Sequence, residues 1–494
     1  MTNDNFVGLD AYAKEGGQGF GAGSMGEIGE LQKALEAGHV TGRDTTDSLS
    51  DSGAPLKVES LERSLKILEY KMSDIVLWNN FPKLTAYNTV EEFNRLVSYG
   101  ADRGGFNQEG ELPVEEDSIY QRKAELVKFL GTTRSVSHVM SLVNTTVGNV
   151  VQRETQNGMM WLLRKLDRSL VSGNANTVPV EFNGLYAQHQ SEYSTPAAYY
   201  DESGLVIDLR GATLAEASIE EGVRTIVDNF GTANMLFAPP IVLSNFVKTF
   251  YSNLRQYAPV GNDSTVGRRV TTFQSQFGEI GLNFDKFMNR GRNITSATAA
   301  TSNRAPSPVT DGAAPLAAAA DTAGTKFVAG DAGDYYYAVT AINRYGESTP
   351  KVLGAPAAVT LAANQSVDLQ FVDGGGTDAA TGYKIYRSAK DATYVAGSTE
   401  FSPLFEISVA ELDAGYDDAA ATKVRDRNRI LPNTDQAFLI EKSDDIYAYK
   451  QLAPIMKMQL ALVNPAIRFM ILSYGTPILY QPKKMVRFIN IGTA

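Results

Sequence analysis

SYGADRGGFNQEGELPVEEDSIYQRKAELVKFLGTTRSVSH, Ser98 to His138, is the stretch on which the reading of this chain turns. Gly100, Gly104, Gly105 and Gly110, with Pro113, stand between flanks whose residues alternate as strands do. This predicts a long two-stranded excursion with a glycine-rich tip. An isolated hairpin is marginal in water because it has no core to bury. The excursion is therefore expected to lie on other protein, and a second copy of the chain is the simplest support.

On the N-terminal side, WNNFPKLTAYNTVEEFNRLV (78–97) reads as largely extended and ESLERSLKILEYK (59–71) as helix. Residues 1–56 are polar and rich in Gly and Ser. Their one short helical candidate is Gly26 to Gly38, where Ile28, Leu31 and Leu35 keep a helical spacing. Such a segment cannot form a core alone, and an extended arm lying on partner subunits is expected. On the C-terminal side, residues 142–172 carry the strongest helical pattern, with Val147, Val150, Val151, Leu162, Leu163, Leu166 and Leu170 at spacings of three and four. Gly158 weakens the helix only locally. A continuous helix of that length would be a rod of about 45 Å at roughly 1.5 Å per residue, long enough to span a subunit.

A second unit begins at LVIDLRG (205–211), a strand. Thr213 and Glu216 suggest a capping box ahead of Ile219, Val223, Ile226, Val227 and Phe230, with Gly231 as the stop. ANMLFAPP (233–240) reads as a buried strand. The following PIVLSNFVKTFYSNLRQYA (240–258) reads as a helix with Val242, Phe246, Phe250 and Leu254 on one face. Near the C-terminus, AFLIEK and IYAYKQLA are strands, and FMILSYGTPILYQPKKMVRFINI (469–491) is read as two strands meeting around Gly475 and Pro477. The fold class is α+β, discontinuous in sequence.

The discontinuity is an insert. From about Ala305 to Lys423 the text becomes Gly- and Ala-rich and β-patterned, as though placed in a surface loop, where insertions are tolerated. YYYAVTAINRYGESTPKV (335–352), SVDLQFV (366–372) and GYKIYRS (382–388) alternate with period two. They resemble strands of fibronectin type III or immunoglobulin-like sandwiches. The first signature precedes the last, opposite to the usual order, so either the insert is circularly rearranged or the likeness is local.

Composition narrows the chemistry. The 494 residues, 43% hydrophobic, can bury several cores. There is no cysteine, which excludes disulfides and thiolate chemistry. His39, His138 and His189 are too scattered to suggest a metal site. The net charge is −11. Residues 305–424 hold 15 acids and 7 bases, a balance of −8 that leaves −3 for the body of the chain. Neither part has the basic surplus of a protein built to grip phosphates. No apolar run is long enough to span a bilayer, and MTNDNFVGLDAYAKEGG lacks the regions of a signal peptide, so a cytoplasmic site of synthesis is expected.

Among smaller signals, Gly16 to Gly23 has no preceding strand and no following Gly-Lys-Ser/Thr, and reads as arm and not as a phosphate loop. Glu109, Glu111, Glu115, Glu116 and Asp117 lie in the excursion's tip, where carboxylates are solvated or paired with a partner's cations. Asn144 and Asn293 match glycan acceptors without a secretion signal. Trp161 falls among apolar neighbours and is expected in the core, as against stacking on a sugar or base. Arg268–Arg269 and Lys483–Lys484 suit inter-subunit ion pairs better than nucleic acid. No catalytic, cofactor or metal-binding residue is expected.

The order of parts resembles the major capsid proteins of tailed bacteriophages, with their Hong Kong 97-type fold. GGFNQEGELPVEEDSIYQRKAELVKFLGTTRSVSH, NGMMWLLRKLDRSL (157–170) and VPVEFNGLYAQ (178–188) are similar in phrasing to capsid proteins of large myovirus-like and marine phages. The resemblance covers residues 57–293 and 430–494. It implies an N-terminal arm (1–56) and an E-loop (98–128). It also implies a peripheral domain (57–97, 129–204 and 457–494) built on a spine helix (142–172), and an axial domain (205–304 and 425–456). The insert (305–424) would sit outermost, as decoration. The implied function is self-assembly, without catalysis or cofactors, into hexamers and pentamers of a head shell. That shell would lie around packaged double-stranded DNA in a virion assembled in the bacterial cytoplasm. Portal, scaffold or decoration proteins would be further partners, and no membrane is involved. An encapsulin-like compartment shell is the alternative, and a carbohydrate-active protein with a β-sandwich module a more distant one.

Overall fold

The computed structural model describes residues 69–493 except 101–105, 113–114, 144–147, 255–269, 289–290, 302–303, 305, 313, 377 and 462–463. The expected arm and most of the helix read at 59–71 lie outside the described residues. Within that helix's last turn, Tyr70 and Lys71 are not helical; they lead into a single 3-10 turn at Met72–Asp74.

α1 (Leu77–Asn80) is one turn, followed by β1 (Lys83–Thr85) and β2 (Val90–Ser98). β3 (Ile119–Leu126) pairs antiparallel with β2 from Val90↔Leu126 to Ser98↔Ile119. The hairpin is thus rooted eight residues earlier than 98, because the alternation of Phe93 and Arg95 already belongs to it. β4 (Lys128–Ser137) runs into α2 (His138–Leu142), whose first turn is capped by Ser137 Oγ accepting from Met140 N–H at 3.4 Å.

The spine helix, α3 (Val150–Ser172), starts eight residues later than read at 142. Gly148 takes φ +77, which no helix admits, and Asn149 Oδ1 accepts from the amides of Val151 (3.0 Å) and Gln152 (3.2 Å), so the cap fixes the start. The rod is about 35 Å long by its rise per residue. α4 (Leu185–Gln190) and β5 (Val206–Asp208) follow. α5 (Glu216–Asp228) has no capping box: its N-cap is Ala215 and Glu216 is already helical, so Thr213 lies too far upstream. Nor does Gly231 stop it. The helix ends at Asp228, and Gly231 N–H closes back on Ile226 O at 2.9 Å. β6 (Met235–Ala238), α6 (Pro240–Leu254), β7 (Thr272–Ser275) and β8 (Gly278–Phe284) complete this stretch.

The insert holds β9 (Val309–Thr310), β10 (Leu316–Ala320), β11 (Gly333–Tyr335), β12 (Tyr337–Asn343), β13 (Gly346–Glu347), β14 (Lys351–Leu353), β15 (Val359–Leu361), β16 (Gln365–Val372), β17 (Gly382–Ser388) and β18 (Phe401–Ser408). α7 (Val409–Ala414) and β19 (Lys423–Asp426) close it. One sheet runs β13-β12-β17-β18 with β14 also on β12; the other runs β10-β16-β19. Between them Val339, Leu369, Phe371, Tyr383, Ile385 and Ile407 form a core separate from the body's. Both quoted signatures, β12 and β17, are neighbours in one sheet.

The chain returns through β20 (Thr434–Ile440), β21 (Tyr447–Gln459), β22 (Ala466–Leu479) and β23 (Met485–Gly492). β22 does not break at Gly475 and Pro477. It runs through both, paired with β21 on one side and β4 on the other, and the turn falls at Tyr480–Lys484. Gly475 is needed there for another reason: a Cβ would stand 2.5 Å from the ring of Tyr449.

Two sheets frame the body, β1-β21-β22-β4 and β5-β23-β20-β6-β8-β7. α3 packs on the first through Leu162, Leu166 and Leu170, against Phe469 and Ile471; α5 and α6 pack on the second. Period-two alternation lets the second sheet serve both cores. Phe438, Ile440, Phe237 and Met485 enter the first core, while Leu439, Leu236, Val486 and Phe488 enter the other. Sheet membership thus crosses the boundaries read at 425–456 and 457–494. β21 belongs with β22 and β4, whereas the terminal β23 belongs with β20 and β6. The α+β class is as expected.

Candidate assembly surfaces

The far half of the β2–β3 hairpin has little to bury it among the described residues. Val97, Tyr99, Phe106, Leu112, Ile119 and Tyr120 are all exposed, Tyr99 by 85% and Leu112 by 92%. Large apolar side chains left this exposed are of the kind that a protein–protein interface covers. The near half is anchored. Arg95 of β2 and Lys123 of β3 converge on the Glu192 carboxylate at 2.9 and 3.4 Å. Arg95 also donates to Leu479 O at 3.4 Å, and Phe93 meets Tyr480 edge-on with ring centres 5.1 Å apart. Glu125 accepts from Asn183 Nδ2 at 3.3 Å; burial holds its carboxyl above the usual range despite that bond.

A second apolar surface is α2. None of its residues is buried, and Val139, Met140, Leu142 and Val143 face solvent. His138 N–H donates to Pro465 O at 3.0 Å, which places α2 beside the connection from β21 to β22.

A third feature is the junction of insert and body. Arg425 pairs bidentately with Asp368 at 2.7 and 3.0 Å. Arg427 reaches Asp321 (2.6 Å), Asp417 (2.9 Å) and Asp418 (2.7 Å), all in the insert. Arg429 turns to the body, meeting Asp201 at 2.9 Å as well as Asp417. From the body, Arg210 donates to Asn428 O and Lys326 O at 2.7 and 2.8 Å. Inside the insert, Arg387 is fully buried and paired with Asp426 at 2.7 Å, and Asp426 also accepts from Tyr337 Oη at 2.8 Å. Burial draws the Arg387 pKa down, but Asp426 more than offsets it and raises it above the usual range. Burial pulls Asp321 up, and the Arg427 hydrogen bond outweighs it, leaving that carboxyl below its ordinary range. Between insert and body lies an open cleft of about 1230 Å³, walled by Arg164, Lys165 and Arg168 of α3 on one side and Lys384, Tyr386 and Glu406 of the insert on the other.

The residues weighed from sequence fall as follows. Glu109, Glu111, Glu115, Glu116 and Asp117 are exposed in the hairpin tip, and no group of three acids or histidines that could hold a metal occurs among the described residues. Trp161 is half-buried against the first core and reaches the cleft, and Trp78 is buried. Asn293 Nδ2 is engaged with Asn433 at 3.1 Å. Lys484 stands 3.7 Å from Glu441 within the same chain. His189 is buried between Tyr199 Oη (2.9 Å) and Met485 O (3.1 Å). Gly16 to Gly23, His39, Asn144 and Arg268–Arg269 lie outside the described residues. Sequence reasoning missed Glu192, which carries no local signal. It also missed the arginines at 425, 427 and 429, whose spacing of two along an extended segment was the available sign.

A family model described as the SU10 major capsid protein matches residues 95–304, from the hairpin to the edge of the insert. The major capsid proteins of Staphylococcus phage S25-3 and Staphylococcus phage K are each 26% identical over 479 residues, covering 94% of this chain and 95% of the relative. Among solved structures, the capsid of Cyanophage P-SCSP1u aligns with a TM-score of 0.44 at 8% identity, covering 92% of this chain and 97% of that one. A family model over the middle of the chain and relatives along nearly its whole length support the function of a phage major capsid protein.

Proposed function

We propose that this capsid protein closes its shell by laying the β2–β3 hairpin across a neighbouring subunit, within hexamers and pentamers of one repeated contact. The observation that carries the reading is the anchored root and bare tip of the hairpin: Glu192 fixes its direction, while Tyr99, Leu112 and Tyr120 stand exposed, without apolar cover among the described residues. Many weak, symmetric contacts sum to a stable shell through multivalency. In this reading the four-stranded sheet with α3 is the peripheral domain and the six-stranded sheet with α5 and α6 the axial one. α2 is a further subunit contact. The insert is a circularly rearranged immunoglobulin- or fibronectin-like sandwich held on the outer face. The body's small net charge suits a wall that contains DNA without gripping it. No catalysis is assigned, assembly takes place in the bacterial cytoplasm, and portal, scaffold or decoration proteins are the remaining partners.

The test is electron microscopy of the expressed protein beside a variant in which residues 99–118 are replaced by a short Asn-Gly turn. Shells from the wild type and only soluble subunits or aggregates from the variant are expected. Normal shells from the variant would remove the hairpin from the assembly mechanism.

A further inference from the structure

Asp167, on α3, and Asp285, just after β8, are both fully buried. Asp167 Oδ1 accepts from Trp78 N–H at 2.6 Å, the first turn of α1, and Asp285 Oδ1 accepts from Phe287 N–H at 2.7 Å. The second oxygen of each, Oδ2, is sealed from solvent and left without a hydrogen-bond partner; the Leu77 N–H acts on both carboxyls, and the two groups lie within hydrogen-bonding range of each other. Two ionised carboxylates that face one another with no proton between them repel, and each buried carboxylate costs several kcal/mol in lost hydration.

No neighbouring cation offsets this. Lys83 Nζ, from the strand after α1, donates to Trp78 O at 3.0 Å, and Lys286, beside Asp285, is drawn to Asp74 at 2.7 Å. Arg164 and Arg168 of α3 are exposed to solvent, Arg164 lying over the Tyr70 ring. Tyr449 of β21, stacked edge-on against Trp78, is neutral, its hydroxyl pushed up to about 12 by burial. A divalent cation needs about six oxygens, and two are offered. A proton satisfies both carboxyls at once.

We propose that Asp167 and Asp285 share one proton at neutral pH, and that this proton latches residues 75–81 to the spine helix. Burial, reinforced by the other carboxyl, pushes Asp167 up to about 8, and burial raises Asp285 as well. Once the latch opens, the separated carboxyls titrate near their ordinary value of about 3.9. The closed form binds a proton that the open form has lost, so closure is strongest below about pH 4. It weakens by about tenfold per pH unit up to about pH 8 and then levels.

The full-length protein and D167N are compared by infrared spectroscopy and by hydrogen exchange of the peptide spanning residues 75–81, at pH 6 and pH 8. Asn at 167 can donate to Asp285 without a titrating proton, and intrinsic exchange rates cancel between variants at each pH. The wild type should show a protonated-carboxyl band at pH 6 that fades by pH 9 and is missing in D167N. Its exchange should rise relative to D167N by up to about a hundredfold from pH 6 to pH 8. D285N, which mimics the protonated partner from the other side, serves the same comparison if D167N folds poorly. Absence of the band at pH 6, or a wild-type to variant exchange ratio that is the same at both pH values, would overturn the proposal.

Discussion

The Arg95 guanidinium on the hairpin stands 2.9 Å from the Glu192 carboxylate in the loop after α4, and Lys123 from the opposite strand meets the same oxygen. One acid therefore fixes both strands at their root. Half-buried pairs of this kind are worth about 1 kcal/mol or less each, so Glu192 should matter more for direction than for stability. Glu192→Ala should leave the melting temperature within a few degrees of wild type. Amides of 90–98 and 119–126 should exchange faster, and shell yield should fall. Unchanged exchange in those strands would show that Phe93–Tyr480 packing alone holds the root.

The insert depends on buried charge. Asp426→Asn leaves Arg387 fully buried without its carboxylate, a change that usually costs about 3–5 kcal/mol. The insert should become the first segment cut in limited proteolysis, with the body left intact. Arg429→Ala should act differently: it cuts the bond to Asp201 but leaves the Val339–Phe371 core in place. The insert of that variant should stay protease-resistant while the connection to the body becomes accessible. Equal protease sensitivity of the two variants would contradict this division.

Much of this architecture was legible because period-two and 3.6-residue patterns are local. Leu162, Leu166 and Leu170 announced the spine helix, and Tyr337 to Asn343 the central strand of the insert. The boundaries were not, because they are set by single atoms: Asn149 Oδ1 starts the helix, and no residue caps α5. Gly475 and Pro477 are residues that usually punctuate, so the sequence suggests a break in β22, whereas here the glycine makes room for a ring from the neighbouring strand. The paired acids at 167 and 285 are 118 positions apart, and nothing in either neighbourhood points to the other.

That glycine gives a sharp steric test. A Cβ at Gly475 would lie 2.5 Å from Tyr449 Cε1, Cζ and Oη, and the ring cannot swing away because Trp78 lies edge-on at 4.8 Å. Gly475→Ala should destabilise the four-stranded sheet by about 1–3 kcal/mol, the range for overpacking. Adding Tyr449→Leu should recover part of the loss. If the alanine variant melts with the wild type, β21 and β22 have room to separate.

Two buried groups pull the pH dependence of stability in opposite directions. Burial, helped by the Arg487 charge, pushes His189 down to about 4, so the unfolded chain, titrating near 6.5, takes up a proton that the fold refuses. Its stabilising effect is complete above about pH 6.5 and is lost as pH falls towards 4, by roughly 3 kcal/mol in all. The Asp167–Asp285 pair does the reverse, weakening the fold as pH rises from about 4 to about 8. Between pH 4 and 6.5 the two slopes nearly cancel, and above 6.5 only the carboxyl pair remains. Denaturant unfolding of the soluble subunit, at fixed concentration, should give a plateau up to about pH 6.5 and a decline to about pH 8. D167N should convert the plateau into a rise with pH, and His189→Gln should convert it into a fall. A plateau that survives both substitutions would mean that neither group titrates where its burial requires.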